Sequence, residues 1–208
     1  MKDLKDLNEQ LFEACENGKT DLVKFLIENG ADVNAFHGIC DHTPLIKASN
    51  RGNQEIVKIL IDAGADLNAV DDNGSTALIW ASRIGHTETA KLLIDAGADV
   101  DAAYLYIDNK TFDHGWTALI WASKNGHTET VRLLIDNGAD VNAVDEKYGY
   151  TPLIIASERG NEEIVKILID AGADLNAVNY DHNTALMKAC ENCDIETAKL
   201  LKDAGAEI

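Results

Sequence analysis

The residues best suited to chemistry in this chain are its thiols, imidazoles and carboxylates, and spacing decides what each could do. Cys190 and Cys193 form a C-x-x-C pair, which is half of a zinc site. Structural zinc needs two further ligands at matching spacing, and the sequence offers none. Asn17-Gly18-Lys19-Thr20 ends like a phosphate-cradling loop, but the position five residues before Gly18, where that pattern requires glycine, is Glu13. His37, His42, His114 and His182 fall near successive turn segments. Units stacked about 10 Å apart keep such a row of imidazoles from sharing one metal ion. The sequence contains no HExxH, GxSxG or GxGxxG motif. Asp32, Asp66, Asp99, Asp140 and Asp174 each close the triplet Gly-Ala-Asp, and a carboxylate that returns with a fixed period is scaffold. The expectation is a protein that is not an enzyme and has no catalytic residues, no metal site and no cofactor.

That period organises the chain. The phrase TPLIxAS, followed by GNxEIVKILIDAGADLNA, occurs at 43–69 and again at 151–177. A cousin, TALIWASxxGHTETxxLLIDxGADV, occurs at 76–100 and 117–141. Aligning the threonines at 43, 76, 117, 151 and 184 gives steps of 33, 41, 34 and 33 residues, so one step carries about eight extra. Repeats of this length signal stacked helical units.

The repeat turns 208 residues into one elongated body rather than separate globular domains. Eighteen basic residues against thirty-six acidic leave a net charge of −18, which repels phosphate backbones and anionic lipid. Nucleic acid and membrane are therefore not expected partners, and a basic protein is a better one. The start, MKDLKDLNEQ, lacks the apolar core of a signal peptide. We expect a soluble cytoplasmic protein, with export as an effector through another kind of signal left open. Cys15 and Cys190 follow alanine where the inner units carry Ala48-Ser49 and Ala81-Ser82, and read as inert core thiols. They lie too many units apart for the ~5.5 Å separation of a disulfide. Cys40, in a turn, reads as the more reactive thiol.

Within one unit, a turn-rich stretch such as VDDNGS (70–75) leads to a threonine whose hydroxyl can cap the next helix. Pro44 and Pro152 occupy the first helical position, where no amide hydrogen is required. In the first helix Leu78, Ala81 and Ser82 make a narrow face of small residues that permits close packing. Gly52, Gly85, Gly126 and Gly160 terminate it, and EIVKILIDAG and its counterparts form the second helix.

TPLIKAS, TALIWAS, GHTET and GADVNA together resemble the ankyrin repeat family, and the resemblance covers nearly the whole chain. It implies an all-α repeat solenoid of paired antiparallel helices with β-hairpin-like tips. About six units are expected: an N-terminal cap at 1–36, then 37–69, 70–102, 103–143 with an inserted finger, 144–177, and a C-terminal cap at 178–208. One departure is general. Ile46, Ile79, Ile120, Ile154 and Met187 stand where the family has a histidine, and an apolar side chain can fill that space. His86 and His127 match the family's structural histidine after the turn glycine, whereas Cys193 and Asp194 replace that Gly-His pair in the last unit. The D-x-N-A asparagines Asn34, Asn68, Asn142 and Asn176 resemble a hydroxylation site of animal relatives; the residues themselves equally suit bracing the turn.

Comparison of the units with one another separates scaffold from surface. Segments 43–69 and 151–177 differ only at Lys47/Ile155, Asn50/Glu158 and Gln54/Glu162. The other twin pair differs at Arg83/Lys124 and Ile84/Asn125, among other positions. The variable side of the first helix, with the tips, is similar to the concave binding surface of the family. Trp80 and Trp121 occupy the Lys47 position, about 200° round the helix from the core leucine. They are expected to point outward or half outward, as a paired aromatic platform or packed on a neighbouring turn. Between them, AYLYIDNKTFDHGW (103–116) carries Tyr104, Tyr106 and Phe112 around Asp108-Asn109 and reads as a longer hairpin finger. The finger either folds onto its own concave face or clamps a partner, and we take the clamp forward. Trp116 and Tyr150, like His42, Ser75 and Asn183, precede the capping threonine at a tip position. The expected partner-binding set is Trp80, Arg83, Tyr104, Tyr106, Phe112, Trp116, Trp121, Lys124 and Tyr150. The expected function is non-catalytic protein–protein interaction by a monomer, with a basic or apolar-patched partner. The alternative is a dedicated inhibitor or immunity protein neutralising a basic toxin or enzyme.

Overall fold

A computed structural model describes residues 4–38, 41–103 and 115–207. Among them run twelve α-helices and no strands: α1 (Leu4–Glu16), α2 (Thr20–Glu28), α3 (Pro44–Arg51), α4 (Gln54–Asp62), α5 (Ala77–Ile84), α6 (Thr87–Asp95), α7 (Ala118–Asn125), α8 (Thr128–Asp136), α9 (Pro152–Glu158), α10 (Glu162–Asp170), α11 (Ala185–Glu191) and α12 (Ile195–Asp203). Each odd helix packs against the even helix that follows it. The odd helices stack in one row, α1 through α11, and the even ones in a second row behind it. The result is an all-α repeat solenoid.

Local chemistry sets the helix ends. Thr43, Thr76, Thr117, Thr151 and Thr184 are extended N-caps, each hydroxyl accepting the amide three residues on at 3.2–3.3 Å. The helix therefore begins one residue after the threonine. Gly85 closes α5 in the left-handed conformation, φ 84°, and a Cβ there would lie 2.5 Å from Nδ1 of His127 in the following unit. Both dihedral and space favour glycine there.

The core is a continuous spine. Leu45, Leu78, Leu119, Leu153 and Leu186 are at most 1 % exposed, and Ile46, Ile79, Ile120 and Ile154 at most 2 %, so isoleucine does fill the place where the family has histidine. Ser49, Ser82, Ser123 and Ser157 are fully buried with hydroxyls that have no partner. Serine is used there for its size, and Cys15 does the same in the first unit, fully buried. Burial pushes its thiol up to about 12, which makes it the inert thiol expected.

Polar links tie each unit to the next. Backbone carbonyls at the ends of the odd helices accept side chains from the following unit: Cys15 from Asn53, Asn50 from His86, Arg83 from both His127 and Asn125, and Ser123 from Asn161, at 2.7–3.2 Å. A second row runs along the loops after the even helices. Oδ1 of Asn34, Asn68, Asp101, Asn142 and Asn176 accepts the amide of Asp66, Asp99, Asp140, Asp174 and Glu207 respectively, at 2.8–3.0 Å. The Gly-Ala-Asp carboxylates accept the amide two residues on, as Asp66 does from Asn68 at 2.9 Å. Both groups therefore brace the structure, each bond contributing about 1 kcal/mol.

The last unit departs from expectation. Cys190 is exposed, not a core thiol, because no further helix pair covers α11. Cys193 adopts the left-handed conformation, φ 56°, which costs a non-glycine residue roughly 1–2 kcal/mol. At Gly52 and Gly85 the equivalent Cβ would run into the histidine of the next unit, whereas the Cys193 side chain is exposed. Cys190 and Cys193 line an open groove with Ile195 and Lys202. Cys40, His114 and the finger aromatics Tyr104, Tyr106 and Phe112 lie outside the described residues.

Candidate functional site

Among the described residues, the middle of the odd-helix row carries a dense aromatic and cationic grouping, and a turn carboxylate sets its first member. Asp71 begins the tip before α5. Its Oδ1 accepts the amides of Asn73 and Ser75 at 2.8 and 2.9 Å, which closes the turn. Its Oδ2 is left to face α5, where it accepts the indole N–H of Trp80 at 2.7 Å and lies 3.3 Å from Nε2 of His42 in the preceding tip. The side chain is fully buried. Burial opposes its ionisation, but His42, the Ser75 amide, the Trp80 indole and the Asn73 amide outweigh that and hold the carboxyl below the usual range. His42 also meets the Trp80 ring edge-on at 5.6 Å. Asp145 plays the turn-closing part before α9, accepting amides from Lys147, Tyr148 and Tyr150.

From Trp80 the grouping continues as an alternating stack. The guanidinium of Arg83 lies 5.1 Å from the Trp80 ring and 4.1 Å from the ring of Trp121 on α7. The ammonium of Lys124 lies 4.9 Å from Trp121 and 4.2 Å from Trp116. The two indoles of Trp116 and Trp121 meet at 4.8 Å between centroids, tilted by 54°. Three aromatic rings thus alternate with two cations, each contact favourable by about 0.5–1 kcal/mol or more where water is excluded.

Two expectations need correction. Trp121 is only 5 % exposed and Trp116 6 %, so neither points outward. Their faces are taken up by each other and by the two cations, a tertiary arrangement the helical wheel of α7 does not contain. Trp116 packs on Trp121 and Lys124, and its indole N–H is buried without an acceptor. Trp80 is half-buried, as expected, and Arg83 and Lys124 are half-buried over the stack.

The flanks differ from the centre. On α3, Lys47 and Arg51 both pair with Glu16 of the first unit at 3.0 and 2.7 Å, and Lys47 also sits over Phe12 at 5.2 Å. The Arg51 and Lys47 hydrogen bonds hold the Glu16 carboxyl below its usual range. On the far side Tyr150 is half-buried beside Tyr148 at 6.4 Å. Burial, then the Glu158 carboxylate, raise its phenol, and Lys188 pairs with Glu191 at 2.9 Å. Asp71 and His42 were legible in sequence only as turn and tip residues; their grip on Trp80 was not. Among the described residues no group of three or more histidine, cysteine or carboxylate side chains could hold a metal ion, and no helix is long and apolar enough to cross a membrane.

Helix pairs stacked in two rows, capped by threonine and closed by glycine, define a helical repeat solenoid. The family model described as ankyrin repeats matches the chain in three overlapping copies, at residues 11–104, 103–179 and 144–208. The chain belongs to the ankyrin repeat family, whose repeats are generally protein–protein interaction modules. No curated protein matches the sequence.

Proposed function

We propose that this chain is a non-catalytic, monomeric scaffold that holds a partner protein on the concave face of its middle units, with the segment 103–116 contributing to the grip. The observation that carries this reading is the Trp80–Arg83–Trp121–Lys124 stack. A rigid, half-buried aromatic and cationic cluster at the centre of a face, ringed by paired charges, has the composition of an interface hot spot. The free thiols among the described residues, Cys15, Cys190 and Cys193, suit a reducing compartment such as the cytoplasm. The net charge of −18 favours a partner of opposite long-range field, speeding association without supplying most of the affinity.

The test is affinity capture from the source organism with three baits: the wild-type chain, Trp80→Ala and Arg83→Ala. A protein retained by the wild type and lost with both variants, at unchanged helical content, supports the reading. Retention that both substitutions leave intact removes the middle units from the interface.

A further inference from the structure

We infer that Arg83 is a preorganised receptor for a carboxylate, so that the partner segment seated on this face presents an aspartate or glutamate flanked by apolar side chains. The inference rests on the concave-face reading and adds the chemistry of the contact. It also reverses, at this one spot, the expectation drawn from net charge.

Three observations carry it. First, the guanidinium carbon lies over two indole rings, 5.1 Å from that of Trp80 and 4.1 Å from that of Trp121, and contacts of this kind with a planar fork leave its N–H groups available for hydrogen bonding. Second, its backbone is fixed as well, because the Arg83 carbonyl accepts both Asn125 Nδ2 at 2.7 Å and His127 Nε2 at 3.1 Å. Little side-chain freedom remains to be lost on binding. Third, in a chain with twice as many acidic as basic residues, no carboxylate among the described residues pairs with it. The cations at the flanks of the same face do have partners, Lys47 and Arg51 on Glu16 and Lys188 on Glu191. Arg83 is aligned with Asn50 and Lys124 in the two adjacent units, so its immediate neighbours in the row offer it no acid. A guanidinium rigid, stacked and lacking a counter-charge matches the two-oxygen geometry of a carboxylate.

The experiment selects a random decapeptide library, displayed on phage, on the immobilised full chain. Enriched peptides are then synthesised with blocked termini and titrated by calorimetry. We expect enrichment of Asp or Glu beside aromatic or branched aliphatic residues. Changing that Glu to Gln in the peptide weakens binding to the wild type about tenfold but leaves binding to Arg83→Gln unchanged, the signature of a direct pair. Arg83→Lys, which keeps the charge and loses the fork, recovers only part of the affinity. Circular dichroism establishes that the variants fold. Basic or uncharged peptides that still depend on Trp80 overturn the carboxylate and leave the binding face standing. Peptides indifferent to both Trp80→Ala and Arg83→Gln, or no enrichment at all, overturn both.

Discussion

The indole N–H of Trp80 donates to the buried carboxylate of Asp71 at 2.7 Å, so the turn before α5 determines how the side chain on α5 stands. Because Asp71 is held below its ordinary value of 3.8, its ionised form stabilises the fold. That stability is present above pH 3.8 and is lost as pH falls through the lower folded value. Urea midpoints measured from pH 7 to pH 2 should therefore fall less steeply on acidification in Asp71→Asn than in the wild type. At neutral pH the variant should be the weaker of the two and its tryptophan emission shifted.

Trp121 and Trp80 occupy equivalent positions with unequal burial. Trp121→Ala empties a packed site between Trp116, Arg83 and Lys124 and is expected to destabilise by about 3 kcal/mol or more. Trp80→Ala should have a smaller effect, since its ring is half-exposed. Chemical unfolding of both variants checks the order; equal losses would contradict the packing described.

Ser82 and Ser123 bury hydroxyls with no partner. Replacement by alanine removes an unsatisfied polar group with almost no change of shape, so Ser82→Ala and Ser123→Ala should leave the melting temperature unchanged or raise it. A fall of several degrees would mean that the hydroxyls are bonded.

The thiols should react unequally. Brief maleimide treatment of the native chain, read by peptide mass mapping, should label Cys190 and Cys193, which are exposed, and spare Cys15, which is buried with its thiol pushed up to about 12. Labelling of Cys15 at the same rate would require the first unit to open readily.

The period of the threonines, the glycines after the odd helices and the Gly-Ala-Asp triplets made the solenoid readable, because each is a local requirement of one turn or cap. The burial of Trp121 was not readable. It depends on Arg83 of the preceding unit and Trp116 across the longest inter-unit step, contacts that a single helix cannot announce. Cys190 shows the converse: its place in the repeat matched a buried serine, but burial there needs a following helix pair. The resting place of Arg83 between two rings likewise follows from the distance between stacked helices rather than from its own neighbours in sequence.

The row from Asn34 to Glu207 has a mechanical consequence. Each joint along that edge is fastened by a short link from a side-chain oxygen to a backbone amide, while the apolar spine and the links to the odd-helix carbonyls hold the rest. A body built this way flexes like a strap of pinned plates. Small pivots at successive pins would add up to a change of overall bow without any single pin having to break.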